Sequence, residues 1–175
     1  MKYQTIEEVY AANDKIRANF LETIESISDE QANALPEGEK WTIAQIIEHV
    51  SIVEDGMSKI SYKLLNEAKE SGKTSDGTAK FSDSFAQHAA GAREQKFEAP
   101  DRVRPKGSVS IADSVKRLEE TRQNLYALKP LFETVDCSEH KFPHPAFGEL
   151  TAHEWLALVG GHEIRHLEQI KRRLA

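Results

Sequence analysis

The chain has 175 residues, which is enough for one domain with a hydrophobic core, and its 23 basic and 29 acidic residues give a net charge of −6. This acidic balance argues against nucleic acid or an anionic membrane as a partner, and no apolar run reaches the roughly 18 residues of a membrane span. The single cysteine, Cys137, excludes an internal disulfide, and the first eight residues lack the apolar core of a secretory signal, so we expect a cytoplasmic protein.

The first half of the chain contains two amphipathic helical patterns. Apolar residues recur every three or four positions from about Thr5 to Ile27, which predicts the first helix. The polar segment Ser28 to Lys40 predicts a turn, with one helical turn after Ser28. Thr42 and Gln45 have the spacing of a capping box at the start of the second helix, whose apolar stripe extends to Leu64.

The second half contains a long polar stretch and two further helices. Glycines and prolines between Ser71 and Gly107 predict a crossover with one short helix near Ser82–Ala90. The third helix starts near Ser110, and Pro130 should limit its C-terminal end, followed by a loop from Leu131 to Leu150. The fourth helix starts at Thr151 and runs to the end of the chain. No segment alternates as a strand does, so the sequence predicts an all-α four-helix bundle in a single domain, residues 1–175.

Two histidines of the last helix have the spacing of a metal site. His162 and His166 lie four positions apart, so on a helix they stack on the same face, where two imidazoles can hold one metal ion. Apolar neighbours at helical spacing place both at the margin of the core, where their ring nitrogens need partners. Such a pair also arises by chance, and two hydrogen-bonded structural histidines are the alternative.

His49 is the candidate for a third ligand. It lies one turn after Ile46 and one turn before Val53, on the flank of the buried stripe of the second helix. A lone histidine in this position is also compatible with a hydrogen-bonded structural role. Three neutral imidazoles would leave coordination positions open, which is typical of a catalytic site, and zinc, nickel, iron and manganese all accept such ligands.

Several stretches of the chain resemble the DinB-like superfamily. The resemblance is carried by Trp41-Thr42 with His49 following, by Gly148-Glu149-Leu150-Thr151 before the last helix, by His162-Glu163-Ile164-Arg165-His166 ahead of Gln169-Ile170, and by Phe97-Glu98-Ala99-Pro100 with Pro105 in the crossover. These short motifs together span nearly the whole chain in the order that is typical of the superfamily.

The resemblance implies a four-helix bundle of the up-down-down-up type, often a homodimer, with a divalent metal ion held by three histidines. Carried over by position, these are His49, His162 and His166. Activities of the superfamily include S-transfer that depends on bacillithiol or mycothiol, maleylpyruvate isomerisation with a thiol cofactor, and metal-dependent hydrolysis.

Three functions are therefore open. The first is an enzyme in which the metal ion binds a low-molecular-weight thiol, and the thiolate then attacks a small electrophilic substrate. The second is a metal-dependent hydrolase, in which the open position holds water of lowered pKa. The third is a metal-binding or stress-response module without catalysis.

Other residues have two interpretations each. Arg165 could bind an acidic thiol cofactor or lie on a solvated helix face, and Glu163 could orient a ligand, act as a general base or pair with a surface cation. His144 is the most plausible auxiliary residue, because its loop precedes the last helix and could cover the site. His153 should be exposed in the first turn of that helix, whereas Cys137 should be a small loop or core residue.

Overall fold

The computed structural model describes residues 3–92 and 97–174, so Met1, Lys2, Ala175 and positions 93–96 of the predicted crossover lie outside the described residues. Four long helices carry the described part of the fold, as the sequence predicts. In chain order the elements are α1 (Ile6–Glu25), α2 (Asp29–Asn33), α3 (Ile43–Glu70), α4 (Asp83–Gly91), a short 3-10 helix (Asp101–Val103), α5 (Ile111–Thr134), β1 (Lys141–His144), β2 (Gly148–Thr151) and α6 (Ala152–Leu174).

Contacts between helix ends define the directions of the four long helices. A backbone bridge joins Thr5 to the segment after α3, so α1 starts where α3 ends. A second bridge, Thr74 to Val135, brings the ends of α3 and α5 together. Lys171 near the end of α6 donates to Asn19 near the end of α1. Helices α1 and α6 therefore run in one direction and α3 and α5 in the other, which is the up-down-down-up arrangement.

Helix starts coincide with the predicted caps. At α3 the N–H of Gln45 donates to Thr42 Oγ1 (3.2 Å), and the N–H of Thr42 donates to Gln45 Oε1 (2.9 Å), which completes the capping box. The hydroxyl of Ser110 likewise accepts from the N–H of Asp113 (3.0 Å) at α5. These caps satisfy backbone N–H groups that have no partner within the helix, and they fix the residue at which each helix begins.

The prediction of a strand-free chain with a loop from Leu131 to Leu150 is wrong. Strands β1 and β2 form an antiparallel hairpin, and His144 pairs with Gly148 across a three-residue loop. Gly148 has φ +72°, the left-handed conformation that closes such loops. Pro143 lies inside β1, and a two-stranded sheet tolerates it because every strand is an edge strand. Pro143 and Pro145 interrupt the alternation of apolar and polar residues by which a strand is recognised in a sequence, so the hairpin was not predicted.

Pro130 does not limit the third helix where the sequence suggests. Helix α5 continues to Thr134, one turn beyond the proline, although the proline lacks the N–H that would bond to the preceding turn. Phe132 lies in that extra turn, is fully buried, and packs edge-on against Tyr10 with ring centroids 6.1 Å apart. We attribute the continuation to this burial, which is worth about 2 kcal/mol for a large apolar side chain.

The core consists of two apolar clusters with a polar layer between them. One cluster lies around Phe132 and Trp155, the other around Phe20 and Ile170. The layer contains buried polar side chains from all four long helices: Asn13, Arg17, His49, Glu54, Thr121, Glu163 and His166. Buried polar groups destabilise a core unless they are paired, so these side chains need partners within the layer or a bound ligand. None of the described helices is long and apolar enough to cross a membrane.

Candidate metal centre

The structure brings together the three histidines that the sequence singles out. His49 projects from α3, and His162 and His166 project from successive turns of α6. One ring nitrogen from each lies within 4.8 Å of the others, and the Nε2 atoms of His49 and His162 are 3.3 Å apart. Side chains from two neighbouring helices therefore converge on one point, as a shared metal ion would require.

Hydrogen bonds to the far side of two rings set their tautomers. A carbonyl oxygen only accepts, so the Nδ1–H of His49 donates to the carbonyl of Val103 (2.8 Å). The Nδ1–H of His166 donates in the same way to Oε1 of Gln169 (2.9 Å). Both neutral rings then keep an unprotonated Nε2, the form that ligates metals. The Nδ1 of His162 is buried and has no hydrogen-bond partner among the described residues.

The distance between the ring nitrogens fits a cation. Metal–nitrogen bonds of about 2.05 Å at a tetrahedral angle place two ligating nitrogens about 3.3 Å apart. The Nε2 atoms of His49 and His162 have this separation. In the metal-free protein the Nε2–H of the neutral His162 ring can donate to the unprotonated Nε2 of His49, and a shared cation would take the place of that proton. The donor set therefore fits a divalent metal ion.

Burial keeps the three imidazoles neutral. It lowers the pKa of His49, against a smaller opposing effect of the Val103 carbonyl. Burial, assisted by the neighbouring His49, lowers the pKa of His166 to about 3. The pKa of His162 falls well below its ordinary value because of burial and then because of the two other histidines. The rings are thus deprotonated at neutral pH, ready to ligate without first losing a proton.

The three histidines line a cavity of about 1500 Å³. Its walls come from α3, α6, the crossover and the β1–β2 hairpin, and charged side chains line them together with several aromatic ones: Trp41, Phe85, Phe97, Phe142, Phe147 and Trp155. A mostly apolar cavity with a few converging polar groups is the usual form of a small-molecule site. The volume is enough for a metal-bound ligand together with a second molecule.

His144 lies on the wall of this cavity, as its predicted auxiliary role would require. Its Nδ1 accepts the backbone N–H groups of Ala146 (3.1 Å) and Phe147 (3.2 Å), so the proton of the neutral ring resides on Nε2. Burial, with the nearby Arg102 guanidinium, lowers the pKa of His144 to about 4. The hairpin therefore contributes a neutral N–H donor rather than a metal ligand.

His153 is buried, so the prediction that it is exposed is wrong. Its Nδ1 accepts from the N–H of Lys80 (3.2 Å) and its Nε2 donates to the carbonyl of Phe132 (3.3 Å). Both nitrogens are thus satisfied, and His153 fastens the start of α6 to α5 and to the crossover. Cys137 is a buried core residue, as predicted, and burial raises the pKa of its thiol.

Glu163 points away from the histidines and belongs to a buried ion cluster that the sequence interpretation missed. Arg17 of α1 donates to Glu54 of α3 and to Glu163, each at 2.5 Å, and Arg122 of α5 lies 3.5 Å from Glu163. Burial, and then the neighbouring carboxylate, raises the pKa of Glu54 to about 8, although Arg17 opposes the shift. Neither general-base chemistry nor a surface ion pair describes Glu163.

Arg165 lies on the cavity wall instead of a solvated face. Its guanidinium stacks on Phe97 at 4.9 Å and donates to the carbonyl of Ala92 (2.5 Å).

The two glycines before the histidine pair have separate roles. A Cβ on Gly160 would lie 2.1 Å from Asn13 Oδ1, so this glycine permits close packing of α1, whereas Gly161 lines the cavity and has open space beside it.

Comparisons with known proteins agree with this architecture. The sequence profile of the DinB superfamily matches residues 12–170. The chain is 30% identical over 149 residues to YuaE of Bacillus subtilis (strain 168), covering 85% of this chain and 86% of that protein. The crystal structure of TT2238, a four-helix bundle protein, superposes with a TM-score of 0.64 at 21% identity, over 95% of this chain and 98% of that one.

The chain belongs to the DinB superfamily. Its fold is the four-helix bundle, with a trio of histidines that can hold a metal ion on the face between α3 and α6.

Proposed function

We propose that this protein is a divalent-metal-dependent enzyme that transfers a small thiol to a small electrophilic molecule. The observation that carries the proposal is the convergence of three neutral imidazoles on the wall of a large cavity. The Nε2 atoms of His49, His162 and His166 would hold the ion. Among the described residues no carboxylate or thiol joins this trio, so coordination positions are left for incoming ligands.

A divalent ion with three neutral ligands retains its full charge when bound and so favours an anionic further ligand, such as a thiolate. The chain's own residues supply orientation. Val103 and Gln169 hold two of the rings in the ligating tautomer, and the cavity wall offers apolar surface on which a small electrophile could rest. In the transfer a carbon–sulfur bond forms and the bond from carbon to the leaving group breaks. The leaving group takes the bonding electrons, and the thiol proton passes to solvent.

Metal content tests the site directly. The protein is purified without an oligohistidine tag and its bound metals are measured by elemental analysis. We expect about one zinc, nickel, iron or manganese ion per chain, lost in His166→Ala because two imidazoles hold a cation far less tightly than three. His153→Ala is the matched control, since it removes a buried histidine of the same helix that lies outside the trio. Equal metal content in both variants would exclude His166 from a metal site.

Turnover then distinguishes the reaction classes. The metal-loaded protein is incubated with a chromogenic aryl halide, with and without a panel of small thiols that includes cysteine and glutathione. The proposal predicts that aryl thioether forms faster than in protein-free buffer only when thiol and metal are both present. Cleavage of an activated ester without thiol would identify a hydrolase instead, because the open position would then serve water. A metal-loaded protein that is inert in both assays would be a binding module.

A further inference from the structure

The crossover takes part in the histidine trio through a backbone group. Residues 101–107 pass over the first turns of α3, where the Val103 carbonyl accepts the Nδ1–H of His49 at 2.8 Å. This is the contact that selects the ligating tautomer of His49. The length and direction of this hydrogen bond depend on how firmly the crossover is held against α3.

Glu48, the residue before His49, holds the crossover at a second point. Its carboxylate accepts the backbone N–H of Lys106 (3.1 Å) on one oxygen and that of Gly107 (2.8 Å) on the other. Only 1% of Glu48 is exposed, and among the described residues no cation forms an ion pair with it. A buried carboxylate without a cation must be stabilised by hydrogen bonds, so these two amides are its essential partners.

The approach of the crossover to α3 at this point is close. Gly107 has φ +72°, and a Cβ on it would lie 2.9 Å from Nε2 of Gln45. Gln45 is itself held by Thr42 in the capping box of α3. Backbone conformation and lack of space therefore both call for glycine here.

We infer that Glu48 is a positioning residue of the metal centre: its carboxylate holds residues 103–107 against α3, so that the Val103 carbonyl fixes the ring orientation and tautomer of His49. Glu48 and His49 of α3 thus contact residues 103–107 at two points. The Glu48 contacts hold this segment in place, and the segment in turn orients the imidazole of His49. The part of the inference that concerns metal affinity rests on the proposed function. The part that concerns the tautomer of His49 stands without it.

A matched control exists at the other end of the crossover. Glu154 is also 1% exposed, and its carboxylate accepts the backbone N–H groups of Ser82 (2.8 Å) and Thr151 (2.8 Å). It fastens the crossover to the start of α6 and contributes nothing to the histidine trio. Its carboxylate also accepts the hydroxyls of the same two residues. Glu48→Gln and Glu154→Gln therefore each disturb a buried carboxylate that anchors the crossover, and only the first of these leads to His49.

The first measurement is zinc affinity, by competition with a chromophoric chelator. We expect Glu48→Gln to weaken zinc binding about tenfold, the lower bound for loss of a group that orients a metal-ligating histidine. Glu154→Gln should bind zinc as the wild type does. The second measurement is nitrogen-15 NMR of the imidazoles in metal-free protein. His49 should carry its proton on Nδ1 in the wild type and in Glu154→Gln, and should populate both tautomers in Glu48→Gln.

A second pair of variants covers the case in which Glu48→Gln does not fold. Gly107→Ala displaces the segment from the opposite side, and Gly72→Ala introduces the same positive-φ strain (φ +71°) where a Cβ meets nothing within 4 Å. Gly107→Ala should mix the tautomers of His49, and Gly72→Ala should not. Wild-type tautomer and wild-type zinc affinity in both Glu48→Gln and Gly107→Ala would overturn the inference. If the wild type binds no zinc, the proposed function fails, and the NMR measurement still decides the role of Glu48.

Discussion

Substitution of the adjacent glycines of α6 should have opposite effects on stability. A Cβ on Gly160 would lie 2.1 Å from Asn13 Oδ1 and 3.1 Å from Ile16 Cδ1, whereas a Cβ on Gly161 would meet nothing within 4 Å. Both are interior helical positions, where alanine is favoured over glycine by about 1 kcal/mol. Gly161→Ala should therefore stabilise the protein by about that amount.

Gly160→Ala adds two unfavourable effects to the same propensity gain. The extra methyl group overpacks the α1–α6 contact, which costs about 2 kcal/mol. Asn13 must also move, and its Nδ2–H then loses the carbonyl of Leu156 (2.9 Å), which leaves a buried amide unpaired for about 2 kcal/mol more. After the gain in propensity, we expect a net destabilisation of about 3 kcal/mol, or a fall in melting temperature of about 10 °C for a chain of this length.

Urea unfolding followed by circular dichroism measures both free energies. The double variant Asn13→Ala, Gly160→Ala removes the obstructing side chain and should recover part of the loss, which makes the pair a double-mutant cycle. Equal unfolding midpoints for Gly160→Ala and Gly161→Ala would refute the reasoning. So would a double variant in which the two losses simply add.

Three further predictions concern the polar layer and the hairpin. Arg17→Met should destabilise the protein by about 3–5 kcal/mol at pH 9, because it leaves the buried carboxylates of Glu54, whose pKa is about 8, and Glu163 without their main partner. In urea unfolding the loss should shrink between pH 9 and pH 7 as the Glu54 carboxyl becomes neutral, and a loss that is the same across this range would contradict this cause. Metal-free protein should be less stable at pH 5 than at pH 6.5, because the unfolded chain binds protons that folded His166, with its pKa of about 3, does not. The difference is about 2 kcal/mol at pH 5 for this group, and His166→Gln should flatten the unfolding profile by that amount, since glutamine does not titrate. His144→Phe should destabilise the hairpin by about 1 kcal/mol, because two amides lose their acceptor, while zinc affinity by chelator competition stays unchanged; a weakened affinity would make His144 a ligand.

Much of the bundle could be predicted from local signals. The apolar stripes and the side-chain caps specify where α1, α3, α5 and α6 lie, because period and capping depend on residues close together in the chain. The pair His162 and His166 was also visible, since both ligands lie on one helix. His49 required an inference across the fold, and the structure places its Nε2 3.3 Å from that of His162.

The ion cluster was missed because charged residues on a helix are usually solvated. A signal nevertheless existed in α1. Asn13 and Arg17 share the spacing of the apolar stripe formed by Tyr10, Phe20 and Ile24, and all five are buried. A charged residue on an apolar stripe predicts a buried partner of opposite charge on a neighbouring helix, although it does not identify that partner.

The contacts of the crossover could not be predicted from the sequence by any comparable rule. The group that orients His49 is the carbonyl of Val103, and every residue has a carbonyl, so no residue type marks it. Val103 lies 54 positions after His49 in the sequence, so the contact depends on the path of the whole intervening backbone. Only the fold reveals that pairing.

The metal ligands and the cavity wall come from different parts of the molecule. Two helices carry the histidines, whereas the hairpin and the crossover supply much of the cavity wall. Loops generally tolerate replacement better than packed helices do. The hairpin tip is an exception, because its Phe147 is buried in the core. A protein engineer could instead rebuild residues 97–100, and so select different bound molecules, while the helices that carry the histidines are left unchanged.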